Sequence, residues 1–420
     1  MNFETRYKSH HNSSGLIGKY YPQRRVAENE FLNKLNEKPK DVPRAVYVHT
    51  PYCDKICSFC NLNREQLSGS LDSYADYLVS EFDRYGQYRY FKEKSVDVVY
   101  FGGGTPTVYK NDQLEKVLQS VNRNIKFSKG YEFTLETTLH NLNDEKIELM
   151  NRYGVNRLSV GIQSFSDDGR KFYNRTYSKN ETIDRLAKLK EKFNGEVCID
   201  IIYNYPNQRV EDVVEDAKII KKLDLGSASF YSLMVHEGST LSQDIKEEKV
   251  KIQENLKKER ELHDAFVKEL TADSNYYVLE LTKIAKKGRD RYKYIKTRNF
   301  GGDTFPIGVG AGGNVDNISV FRMKKEMSMF VEKSEYEQRL DRFSGLFQFP
   351  QIEKDMVDEI LNSEEKVVFK DLISELKDSK FILESDKEYS LTEDGLFWGN
   401  NISREILITI VEKTLGLTKK

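Results

Sequence analysis

The residues of this chain best suited to chemistry are three cysteines in Cys53-Asp-Lys-Ile-Cys57-Ser-Phe-Cys60, directly after Tyr47-Val-His-Thr-Pro-Tyr. Thiolates hold iron-sulfur clusters, and a 4Fe-4S cluster normally takes four of them. Three thiols in one short loop can hold three irons and leave the fourth open to an outside ligand. A zinc site completed by a histidine such as His49 is the alternative, although zinc pairs are usually answered by a second pair far downstream, and none follows here. Plain buried thiols are the third reading. The remaining cysteine, Cys198, sits in an apolar run. Four cysteines so arranged make no disulfide framework for 420 residues, and a reducing cytoplasm is the expected compartment.

Further polar residues lie at the ends of apolar runs. Gly102-Gly103-Gly104-Thr105-Pro106 follows one such run; glycines let backbone approach a ligand and offer it amides, though turns need glycine too. Glu136 and Gln163 end two other runs, and Asp200 is embedded in Cys198-Ile-Asp-Ile-Ile. A carboxylate inside an apolar strand is costly unless it is bonded, either to a neighbouring loop or to a ligand. Arg175 presents a planar fork suited to a carboxylate, with a surface ion pair as the plainer reading.

Short apolar runs at Ala45 to His49, Val96 to Phe101, Tyr131 to Leu135, Arg157 to Gly161, Val197 to Tyr203 and Ser229 to Leu233 read as buried strands. Amphipathic helices are predicted between them, near Leu71 to Tyr85, Gln113 to Val121, Asp144 to Arg152, Glu181 to Phe193 and Val210 to Lys222. Alternation of this kind implies right-handed crossovers and a parallel sheet, here an α/β incomplete (β/α)6 TIM-type barrel, whose chemistry belongs at the strand ends. The expected organisation is an N-terminal arm over 1–42, the partial barrel with a closing segment over 43–342, and a small C-terminal cap of helical and winged-helix-like character over 343–420. The series Ile252, Leu256, Leu262, Phe266, Leu270 predicts one long helix without chemistry.

Lys and Arg number 66 against 67 Asp and Glu, so no global field draws the chain to nucleic acid or membrane. No run approaches the about 18 apolar residues of a membrane span, and no export signal is expected. Three other features have two readings each. His10-His11 could ligate heme iron or be idle, and His236 could contact heme or cap a turn. The stretch Lys286-Lys-Gly-Arg-Asp-Arg-Tyr292-Lys-Tyr294 could seat a flat ligand bearing carboxylates or be a solvated charge run.

Taken together, these motifs resemble the radical S-adenosylmethionine superfamily, in which S-adenosylmethionine chelates the open iron and is cleaved by one electron to an adenosyl radical. The stretch Tyr47 to Cys60 is similar, more narrowly, to the branch of oxygen-independent coproporphyrinogen III oxidase, the heme chaperone and the anaerobic heme-degrading methyltransferases. The resemblance implies that Cys53, Cys57 and Cys60 hold the 4Fe-4S cluster. It also implies that Tyr47, Phe59, Gly103, Gly104, Thr105, Glu136, Gln163, Arg175, Asp200 and Ile202 contact one or other of two S-adenosylmethionine molecules, with Gln163 and Asp200 the catalytic candidates. The Gly308-Val-Gly310-Ala-Gly312-Gly313 segment resembles the branch's mouth-closing piece.

Within the branch, the oxidase usually has another cysteine where Leu62 stands. The chaperone usually shows Glu-x-Asn-Pro and Gly-Leu-Pro-Gly-Gln where this chain has Glu136-Thr-Thr-Leu and Asn204-Tyr-Pro-Asn207-Gln. Ala311-Gly-Gly is reminiscent of the methyltransferases, which usually carry Gly-Phe-Phe where Asn61-Leu-Asn stands. The expectation is therefore a radical methyltransferase that opens heme to a linear tetrapyrrole, fed by a flavodoxin-like electron donor. A heme chaperone and a coproporphyrinogen III dehydrogenase are the alternatives.

Overall fold

The computed structural model describes residues 1–9, 20, 23–60, 65–67, 69, 71–252 and 254–416. His10-His11 and Asn61-Leu62-Asn lie outside them.

Six parallel strands run in sequence order through the sheet: β1 Arg44–Thr50, β2 Val96–Gly103, β3 Phe127–Thr137, β4 Arg157–Gln163, β5 Glu196–Tyr203 and β6 Ser227–Ser232. Each lies within a few residues of its apolar run. Period-two alternation explains their two faces. Val46, Val48, Val99 and Phe101 point into the main core, whereas Ala45, Val98 and Tyr100 belong to a separate interior cluster. The intervening helices include Asp72–Tyr85, Asn111–Asn124, Asp144–Arg152, Lys179–Lys192 and Val210–Lys222. Their starts are chemically marked: Asn143 accepts from the Lys146 amide, and Ser178 with Glu181 forms a reciprocal cap.

The sheet continues past both ends of this array. Beyond β6 lie β8 Lys283–Lys286 and β7 Tyr276–Glu280, both antiparallel. Beyond β1 lies β9 Asp303–Ile307, parallel to it, then an antiparallel set of β10 Gly312–Val315, β11 Ile318–Lys324 and β12 Met327–Glu332. The two ends of the sheet are not joined among the described residues, which is the open, incomplete barrel expected. No helix among them is long and apolar enough to cross a membrane. The long helix expected from Ile252 begins at Leu256 and runs to Thr271.

Sequence reading had left Lys286 to Tyr294 between a solvated run and a ligand seat. It forms a plug across the N-terminal ends of the strands and turns Tyr292 into the interior. Arg157, the first residue of β4, donates Nε and Nη2 to the two carboxylate oxygens of Asp290, both at 3.0 Å. Cys198 and Ser227 donate to the same carboxylate, and Asp290 accepts the Tyr292 amide at 2.9 Å. Burial would raise the Asp290 carboxyl, but the Arg157 guanidinium overrides it and holds the group well below the usual carboxylate range. Glu132 of β3 accepts the Lys293 amide at 2.9 Å, at the start of a helix Lys293–Asn299, where the helix dipole favours an anion.

The C-terminal region has its own apolar cluster, from Leu340 to Val411, built by helices including Glu335–Leu346, Ser363–Asp378 and Gly399–Thr414 and a small antiparallel sheet. The first residues do more than lie over the barrel. Phe3 packs on Phe381 and Trp398, and Asn401 accepts the Tyr7 amide and donates to the Thr5 carbonyl. Arg6 then reaches Tyr203 and Glu259, stitching the C-terminal cluster to the barrel.

Breaking a buried pair by removing one partner leaves an uncompensated charge. Asp290→Ala should therefore cost about 3–5 kcal/mol of stability, read as a lower urea midpoint, whereas Asp41→Ala, at an exposed pair with Lys94, should cost little.

Candidate active site

A cavity of about 820 Å³ opens at the C-terminal ends of the parallel strands. Twelve of the thirteen residues singled out by sequence line it: Cys53, Cys57, Cys60 and Phe59 from the loop after β1; Gly103, Gly104 and Thr105 after β2; Glu136, Gln163, Arg175, Asp200 and Ile202 from the next three strands and their loops. Tyr47 is the exception. It points into the barrel below the cavity, its ring stacked on Tyr100 at 6.1 Å and Tyr294 at 5.9 Å, with its hydroxyl 3.0 Å from His49 Nδ1.

The cysteine loop is fixed from two sides. Gly104 N donates to Thr50 O at 2.7 Å and Thr105 N to Tyr52 O at 2.9 Å, so the glycine loop runs against it. A Cβ on Gly104 would lie 2.5 Å from Tyr52 O, which only glycine avoids. On the far side Leu241 N donates to Ser58 O at 2.8 Å, and Phe59 meets Tyr173 edge to face. Burial pushes the Cys53 thiol up to about 11, against the hydrogen bond from Thr105, with Cys57 and Cys60 adding to the rise. Among the described residues no three such side chains are already drawn into a closed metal set. The sulfur-only donors on one cavity-lining loop nevertheless match the ligand chemistry of an iron-sulfur cluster.

The glycine run does not simply offer its amides to a ligand. Gly103 N donates to Glu136 Oε2 at 3.2 Å, and Tyr100 Oη donates to Oε1 at 2.7 Å. Glu136 is thereby aimed at the cavity. Burial raises its carboxyl to about 7; Asp200 adds to the rise, and the two hydrogen bonds oppose it. Asp200 itself accepts from Ser159 at 3.2 Å.

Gln163 is placed by a feature the sequence reading missed. The register between β4 and β5 slips between Gly161 and Gln163, and Gln163 takes φ 71°, a bulge that turns its side chain into the cavity. Arg170 braces this turn through the carbonyls of Ile162 and Ser164, and Asp216 holds the Phe165 amide at 3.0 Å. Such a conformation is costly for a residue other than glycine. Among the described residues, Gln163 Oε1 and Arg175 Nε are both buried without a hydrogen-bond partner. Both residues line the cavity, and unmet buried groups of this kind call for a polar ligand.

The cavity also takes in Tyr292, from the stretch read as a possible ligand seat, and residues not singled out by sequence as ligands: Lys8 and Ser9 from the N-terminus, Tyr100, His140, Ser159, Tyr231, Glu280 and Lys283. Alternation from Gly102 back to Tyr100 was readable; the others come from distant segments. His236 lines the rim, where burial lowers its pKa. None of Gly308 to Gly313 lines the cavity. Gly308 is confined instead by His49 O, 2.4 Å from where its Cβ would lie.

A profile of the Radical SAM superfamily matches residues 47–220. The chain is similar to the heme chaperone HemW of Lactococcus lactis subsp. lactis, at 25% identity across 87% of this chain and 98% of the relative. It is also similar to anaerobilin synthase of Escherichia coli O157:H7, at 23% identity across 89% of this chain and 85% of the relative. Among solved structures, coproporphyrinogen III oxidase (HemN) from Escherichia coli shares the fold, with a TM-score of 0.75, 18% identity and coverage of 94% of this chain and 97% of that one.

Gly104→Ala should push the cysteine loop off the glycine loop. After anoxic reconstitution, iron and sulfide content should fall severalfold while far-UV circular dichroism stays close to wild type.

Proposed function

Because this chain belongs to the radical S-adenosylmethionine superfamily, in the branch of oxygen-independent coproporphyrinogen III oxidase, we propose that it is a heme-handling protein of the chaperone kind. Cys53, Cys57 and Cys60 would hold a 4Fe-4S cluster, and Glu136, Gln163, Arg175 and Asp200 would hold S-adenosylmethionine. When bound, these two groups supply one-electron chemistry. Among the described residues Arg175 has an unmet donor for a carboxylate and Gln163 an unmet acceptor, and Glu136, once ionised, is an acceptor for hydroxyl or ammonium donors. The unmet Gln163 and Arg175 groups are the observation that supports a polar ligand here.

The preference for a carrier over a heme-degrading methyltransferase has its own support. Three motif features had pointed the other way; Glu136-Thr-Thr-Leu still does, and the other two have a backbone explanation. Asn204-Tyr-Pro-Asn207-Gln departs from Gly-Leu-Pro-Gly-Gln, yet Asn204 and Asn207 have φ 67° and 60°, the left-handed conformation for which glycine and asparagine are the usual residues. The asparagines can therefore serve the same turn, closed by the buried Gln208 accepting the Asn204 amide. Ala311-Gly-Gly, which had favoured the methyltransferases, has a packing cause: a Cβ on Gly313 would lie 2.1 Å from Thr304 O. With that glycine explained by strand packing, the motif says little about chemistry. The heme chaperone named above aligns over nearly its whole length, and its name supplies heme as cargo.

Methyl transfer to heme keeps one argument in its favour. A cavity of about 820 Å³ is near the upper end of the roughly 300–1,000 Å³ of small-molecule sites, with room for more than one ligand. Anoxic incubation with heme, reductant and S-adenosylmethionine separates the readings. The expected result is an unchanged Soret band in a stable complex without methyl incorporation; bleaching with labelled methyl in the product would establish the enzyme. Coproporphyrinogen offered in place of heme should be left intact.

Two outcomes follow for the cofactor sites. Cys57→Ala should lose most of its iron and sulfide on anoxic reconstitution, while heme binding persists. S-adenosylmethionine binding should tighten by up to about tenfold from pH 6 to pH 8, as the Glu136 carboxyl, raised to about 7, ionises and becomes a full acceptor. Glu136→Gln should flatten that profile in equilibrium dialysis.

A further inference from the structure

The floor of the cavity carries a cation that the mechanism above leaves unused. Lys283 opens β8 and is only 2% exposed, yet it lines the cavity. Among the described residues its ammonium has no hydrogen-bond or ion-pair partner; its contact is the face of Tyr292, 4.5 Å from Nζ to the ring centroid. An ammonium removed from water is costly unless an anion or several acceptors replace the hydration. A tyrosine face supplies only part of that.

The acids nearest to it are engaged elsewhere. Asp290 takes both arms of the Arg157 fork at 3.0 Å, together with the Tyr292 amide. Glu280 accepts from Thr282 N at 3.2 Å and Thr282 Oγ1 at 2.9 Å, which folds its carboxylate back on its own turn. Lys283 lowers the pKa of both acids at longer range, but among the described residues neither is within ion-pair distance of it. The side chain is thus held in place by a ring and left open on the cavity side. Tyr292 is itself fixed: its φ is 41°, its amide is tied to Asp290, and Arg157 lies 4.8 Å from the same ring.

We propose that Lys283 is the carboxylate anchor of the cavity floor, a specificity residue distinct from Arg175 in the loops at the strand C-terminal ends. The inference rests on the reading of this cavity as a site for S-adenosylmethionine and a tetrapyrrole, both of which bear carboxylates. Either a heme propionate or the methionine carboxylate meets the chemistry, and one set of titrations tells them apart.

The anoxically reconstituted full chain is titrated with heme and heme dimethyl ester by Soret absorbance, and with S-adenosylmethionine and its decarboxylated form by equilibrium dialysis. The same titrations are run on Lys283→Met, which keeps length without charge, and on Lys283→Arg. Loss of a charge-assisted contact should weaken one carboxylate ligand by about tenfold to a hundredfold in the Met variant, with most of the affinity kept by Arg. If the loss falls on heme, the dimethyl ester should bind wild type as weakly as heme binds the Met variant. If it falls on S-adenosylmethionine, the decarboxylated form should be insensitive to the substitution. Should heme fail to bind wild type while S-adenosylmethionine shows the loss, the tetrapyrrole reading fails and the anchor stands. The anchor is overturned if the Met variant binds both ligands as wild type does. Should that variant not fold, wild-type protein decides: equal affinity for both forms of both ligands also overturns it.

Discussion

The buried pair of Arg157 and Asp290 is the constraint on which the barrel depends. A partial barrel of parallel strands leaves its N-terminal end open, and polar backbone there must be covered or wetted. The chain covers it with its own segment after β8, and the pair fixes where that segment sits. The bidentate geometry sets Asp290, Asp290 sets the Tyr292 amide, and Tyr292 becomes the cavity floor. Net stabilisation from such a pair is small because desolvation offsets attraction. Its value lies in geometry, since a single charged partner without the other is the state the fold must avoid.

At the opposite ends of the strands the logic reverses. There polar groups are aimed and left incomplete. Glu136 is steered by Tyr100 and Gly103, and Gln163 by a backbone bulge braced from Arg170 and Asp216. The strands supply the rigid frame and the loops the unmet valences, the usual division of labour in this architecture. At one end Arg157 and Asp290 are paired within the chain, whereas at the other Gln163 Oε1 and Arg175 Nε are met only with a ligand.

The frame was legible because local pattern determines it. Apolar runs of strand length, amphipathic helices and their caps put the six parallel strands within a few residues of their places, and residues at run ends, from Cys53 to Asp200, do face one cavity. What could not be read was set by distance in the chain. Arg157 and Asp290 are 133 positions apart, and nothing local says that a basic, tyrosine-rich stretch will turn inward. Tyr47 lies off the cavity lining for a related reason: alternation gives the interior face, but depth along the strand decides between cavity and plug. The turn at Asn204 to Asn207 shows a third kind of miss. Letters differed from the glycine pattern while backbone conformation did not, so identity was a poorer guide than φ.

The segment over residues 1–9 couples the ligand chamber to a distant part of the sequence. Residues 5 and 7 find their hydrogen-bond partners at Asn401, and the same short arm carries Lys8 and Ser9 to the cavity wall. Strands and helices of the barrel can pair through local contacts, but this part of the chamber wall is in place only once the C-terminal cluster has formed around Asn401, so loosening that cluster would unseal the chamber from a distance.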